Sequence, residues 1–109
     1  MIRLLFLFYL FIISSCTYHE LSPCETNKPT FSDCVKPIFE QNCMDCHSSN
    51  INRLTNYEEI KEAVLNGKVI ESIEKEENEL GFMPLFNNKL TSQEIELIKN
   101  WKVNGAPNN

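Results

Sequence analysis

The sequence predicts an all-α domain of about four helices. Three observations carry this. Apolar residues recur at helical spacing in four segments between residues 32 and 105. Two helix starts are marked by capping boxes, Thr55-Asn56-Tyr57-Glu58 and Thr91-Ser92-Gln93-Glu94. No β-α-β pattern appears anywhere along the chain.

The first helix is expected to begin near Ser32 or Asp33, both good N-caps. Pro37 must then fall within about the first turn, because deeper it removes a hydrogen bond. Val35, Ile38, Phe39 and Asn42 follow helical spacing and lead directly into Cys43. A second helix opens at Thr55, with Glu58 bonding back to it. Tyr57, Ile60, Ala63 and Val64 form its stripe, and Asn66-Gly67 marks its stop. Val69, Ile70 and Ile73 suggest a short third helix. The acidic run that overlaps and follows it, Glu71 to Glu79, reads as a solvated face. The last helix opens at Thr91, carries Ile95, Ile98 and Trp101, and ends at Asn104-Gly105 before Pro107. Trp101 is expected to pack against the first helix; lining a cofactor edge is its sharper alternative.

The first fifteen residues read as a leader rather than as part of the domain. Arg3 is followed by an unbroken apolar run from Leu4 to Ile13. Ten helical residues span about 15 Å, half of a hydrocarbon core of about 30 Å, so the run fits a secretory signal better than a membrane span. Ile13-Ser14-Ser15-Cys16 resembles a bacterial lipobox, which implies cleavage before Cys16 and lipid on its sulfur. The alternative is an ordinary signal peptide with an incidental Cys16. Residues 16–31 are expected to form a lipidated tether, and residues 32–109 the domain. His19 lies in that tether and reads as solvated rather than as an iron ligand.

Cys43-Met44-Asp45-Cys46-His47 is the segment with chemistry. C-x-x-C-H is the attachment signature of a c-type haem. If the segment is helical, the two thiols share one face and can each form a thioether with a vinyl group of the porphyrin. His47, four residues from Cys43, projects from the same side as the proximal iron ligand. A zinc site needs further ligands, and the one other histidine is His19. A thioredoxin-like couple needs a strand before it, and none is visible. Met44 is badly placed to reach the opposite haem face and reads as packing. Met83 lies in Leu80-Gly81-Phe82-Met83-Pro84-Leu85, where Gly81 permits unusual backbone angles and Pro84 stiffens the loop. Periodicity alone leaves Met83 evenly placed between iron ligand and core filler.

Charge and cysteine count are consistent with export. The formal net charge is −5, and becomes −6 once Arg3 is removed. Such a surface argues against nucleic acid and suits redox partners with basic docking faces, although a merely solvated surface explains it almost as well. Five cysteines leave an odd thiol in an oxidising compartment. With Cys16 on lipid and Cys43 and Cys46 on haem, Cys24 and Cys34 remain as a pair. A disulfide between them would enclose nine residues and contribute about 2–3 kcal/mol. Two free thiols are the alternative.

Taken together, Val35-Lys36-Pro37-Ile38-Phe39 with Cys43-Met44-Asp45-Cys46-His47 resembles the N-terminal half of a small mono-haem class I cytochrome c. Phe82-Met83-Pro84, Leu90 to Ile95, and Trp101 through Gly105-Ala106-Pro107 resemble its C-terminal half. The resemblance covers residues 32–107. It implies an all-α fold with crossed first and last helices, one haem c between them, and iron held by His47 and Met83. The function implied is electron transfer at an extracytoplasmic (periplasmic or cell-surface) membrane face, through lipid on Cys16. No general base or nucleophile points to an enzyme. Other readings are a haem sensor or small haem enzyme with an open sixth position, or a fixed subunit of a respiratory complex.

Overall fold

The computed structural model describes residues 24–49 and 52–109. Cys16, His19 and the leader therefore lie outside the described residues. Among the described residues every regular element is helical: a π-helical turn Phe31–Val35, then α1 (Lys36–Asn42), α2 (Tyr57–Asn66), α3 (Val69–Glu74) and α4 (Ser92–Val103). None is long and apolar enough to cross a membrane.

The first helix starts earlier than Ser32 or Asp33. Thr30 is the cap, its hydroxyl accepting from the Asp33 N–H at 3.3 Å. Thr30 is as good a cap as its neighbours by type, and its carbonyl also takes the Val35 N–H at 3.2 Å. The Lys36 N–H reaches back to the Phe31 carbonyl, the long π-type bond. This wider turn lets the chain run on across Pro37, which sits at the start of α1 as its missing N–H requires.

The capping box of the second helix is shifted by one residue. Asn56, not Thr55, caps α2 by accepting from the Glu59 N–H at 3.0 Å. Glu59, not Glu58, then reaches back, accepting from both the N–H and the hydroxyl of Thr55 at 2.8 Å. Those bonds hold the Glu59 carboxyl below its ordinary range, and Arg53 adds to the effect. At the far end Gly67 meets the expected stop through close packing. A Cβ there would lie 2.6 Å from the Ala63 carbonyl oxygen. The last helix begins as expected, with Thr91 and Glu94 exchanging hydrogen bonds of 2.9 and 3.1 Å.

The core is formed where the first and last helices meet. Phe31, Val35, Phe39, Ile98 and Trp101 are buried together with Ile60 and Val64 of α2. Trp101 packs on Phe31 (centroids 5.6 Å) and on the Tyr57 ring edge (6.3 Å), and its indole N–H donates to the Pro107 carbonyl at 2.9 Å. Trp101→Ala is expected to cost about 3–5 kcal/mol, measured by denaturant unfolding of the whole protein.

Both ends of the described chain are fastened to this core. Asn109 caps the first turn: its side-chain oxygen accepts from Phe31 N–H (2.9 Å) and its main-chain oxygen from Ser32 N–H (2.8 Å). The stretch from Cys24 to Thr30, expected as loose tether, lies against α4. Asn100 and Asn104 donate side-chain amide bonds of 2.9 Å to the carbonyls of Thr26 and Asn27, and Pro29 is fully buried. Cys24 and Cys34 are joined, with Cα atoms 5.3 Å apart. Polar composition suggested a free segment here; partners on α4 hold its backbone instead.

The acidic run is largely neutralised. Glu71, Glu74 and Glu76 pair with Lys75, Lys99 and Lys89 at 3.6, 2.7 and 2.9 Å. These exposed pairs contribute little stability.

Candidate functional site

The C-x-x-C-H segment follows α1 without a break. Cys43 is the C-cap of that helix, its N–H donating to the Phe39 carbonyl at 2.9 Å. The chain then makes turns rather than continuing as a regular helix. Cys46 N–H and His47 N–H both reach the Cys43 carbonyl, at 3.3 and 3.0 Å. The second of these is a helical i to i−4 bond, so the turn keeps Cys43 and His47 on one side as regular spacing required.

Cys43, Cys46 and His47 line one cavity of about 1090 Å³, and Met83 lines it as well. A volume of that size suits a large flat cofactor. Much of the wall is apolar: Leu54, Ala63, Val69, Ile73, Pro84 and Leu90 contribute to it. Burial, with help from the neighbouring Cys46, pushes the Cys43 thiol up to about 11. Cys43 and Cys46 are the two unpaired cysteines among the described residues. Among the described residues no three His, Cys, Asp or Glu side chains converge on a common metal position.

His47 is oriented by a bond that the sequence did not announce. Its Nδ1 lies 2.9 Å from the Asn52 carbonyl oxygen. A carbonyl can only accept, so Nδ1 carries the proton and Nε2 keeps its lone pair for a metal. The Leu54 N–H donates to the His47 carbonyl at 2.9 Å and closes the same loop. Asn52 holds φ +65°, the left-handed region that asparagine tolerates better than most residues. A polar loop containing asparagine was visible in the sequence; which carbonyl would meet the imidazole was not. Asn52→Val is expected to cost about 1–2 kcal/mol and Asn52→Gly much less, by denaturant unfolding of each variant.

Met83 is carried on a fastened loop. Its N–H donates to the Ser72 carbonyl at 3.2 Å, and the preceding Phe82 is buried. Lys75 holds the Leu80 carbonyl at 2.8 Å, next to Gly81 at φ +87°. Leu85 and Phe86, at the cavity rim, complete the loop. Met44 and Trp101 do not line the cavity. Met44 packs against the core and Trp101 against Phe31 and Tyr57, the packing role expected for each.

The residues present fit a haem. Two thiols, an imidazole and a thioether line one cavity, and much of the rest of its lining is apolar. The chain is similar to a cytochrome c6 from Gracilaria tenuistipitata var. liui, 29% identical over 80 residues, which are 70% of this chain and 74% of that protein. It matches no family profile and no solved structure.

Proposed function

We propose that this chain is a mono-haem c-type cytochrome that transfers electrons on the extracytoplasmic side of a membrane. The observation that carries the reading is the sharing of one large cavity by the C-x-x-C-H turn and Met83. The cofactor is one haem c. Cys43 and Cys46 hold it through thioethers, His47 supplies the proximal iron ligand through Nε2, and Met83 supplies the distal one. The cytochrome c6 similarity supports the same class.

Haem supplies the redox-active iron; the chain decides how that iron behaves. The Asn52 carbonyl fixes the His47 ring and raises its basicity. A methionine thioether opposite histidine favours the reduced iron and raises the potential. His47 and Met83 would both serve as ligands to such an iron, a pairing that suits an electron carrier rather than an enzyme or gas sensor. The apolar part of the wall would lower the polarity around the group on that side. Partners are redox proteins, and the acidic surface favours basic docking faces. Cys16 carries lipid and anchors the domain.

The test is the optical spectrum of the purified protein, oxidised and reduced. Bands of a six-coordinate c-type haem that stays with the polypeptide after denaturation are expected. Protein without covalent haem would overturn the reading.

A further inference from the structure

The chain enters the domain through a fixed point. Cys24 is joined to Cys34 at the first helix, and Asn100 of α4 and Asn104, which caps its end, hold the Thr26 and Asn27 carbonyls. Pro29, fully buried, closes the stretch onto the core. These contacts come from two helices and include one covalent bond. Residues 24–31 therefore move with the domain.

We propose that this clamp sets a short stand-off between the domain and the bilayer, which restricts its electron partners to redox proteins of the same membrane with their centre near the surface. The inference rests on lipid at Cys16, as proposed above. From Cys16 to Cys24 there are eight Cα steps, which span at most about 28 Å when fully extended. Free chain as far as Thr30 would allow about 48 Å. The clamp therefore keeps the domain within about 28 Å of the lipidated residue, roughly 20 Å closer than free chain as far as Thr30 would. A domain held that close has a high effective concentration towards neighbours in its own membrane, and almost none towards a centre held far above it.

The geometry separates two insertions of equal length. Fourteen Gly/Ser residues placed between Leu21 and Ser22 lengthen the leash. The same insert between Asn27 and Lys28 lies inside the Cys24–Cys34 loop and is bypassed by that bond. The lipidated holoprotein is reconstituted into phosphatidylcholine vesicles carrying a fluorescent headgroup, whose emission the haem quenches according to distance. The outer insert is expected to raise the domain by about 10 Å and weaken the quenching. The inner insert is expected to leave quenching at the wild-type level, with the disulfide mapped by mass spectrometry and folding checked by the haem spectrum. In a Cys24→Ser, Cys34→Ser, Asn100→Ala, Asn104→Ala background the inner insert is expected to raise the domain too. Equal rises for both inserts with the clamp intact would overturn the clamp, and no rise for the outer insert would overturn the leash. Wild-type protein that floats with vesicles no better than Cys16→Ser would overturn the anchor itself, and the stand-off with it.

Discussion

Replacing Cys43 and Cys46 together by serine is expected to leave a polypeptide without covalent haem and with little helix. The domain is small, and small domains bury a low fraction of their apolar surface. Its helices are short as well. α1 has seven residues and α3 has six, far below the length at which helices persist alone. Leu54, Ile73 and Leu90 line the cavity as well as the core, so a porphyrin held there would be part of what they pack against. Circular dichroism decides the matter. A helical signal close to that of the wild type in the double variant, prepared free of haem, would refute the expectation.

Met83→Ala is expected to have the second largest effect, on the iron rather than on the fold. Without the thioether the sixth position opens, and the reduced protein should bind carbon monoxide readily where the wild type does not. The reduction potential should fall, because the ligand that favours reduced iron is gone. Phe82 remains buried and the main-chain bond to Ser72 does not depend on the side chain, so the loop should keep its place. Ready carbon monoxide binding by the wild type would argue instead for a sensor or small haem enzyme. Unchanged spectra in Met83→Ala would remove Met83 as ligand.

The helices were legible because their signals are local. Thr91 with Glu94 is a complete instruction, and the structure follows it. Thr55 with Glu58 looked equally complete, but Asn56 with Glu59 offers the same chemistry one residue on, and that register places Ile60 and Val64 in the core. Adjacent residues of similar capping strength cannot be ranked by propensity. The site divides in the same way. That Cys43, Cys46 and His47 would come together was legible because it follows from their spacing. The His47 to Asn52 bond was not, since it depends on how a polar loop folds back. The docking of residues 24–30 was hidden for a related reason: its partners, Asn100 and Asn104, lie more than seventy residues away.

The cap that Asn109 places on the first turn bears on the order in which the domain closes as the chain emerges. A chain delivered from its N-terminal side presents residues 43–47 well before residue 109. Until Trp101 emerges Phe31 lacks its packing partner, and until Asn109 follows the amides of Phe31 and Ser32 lack theirs. Both thiols and the imidazole are thus offered on a polypeptide that has not yet closed. If haem is attached to Cys43 and Cys46, as proposed above, the interval between their arrival and that of Asn109 is a window in which a ligase could act before the walls of the cavity form.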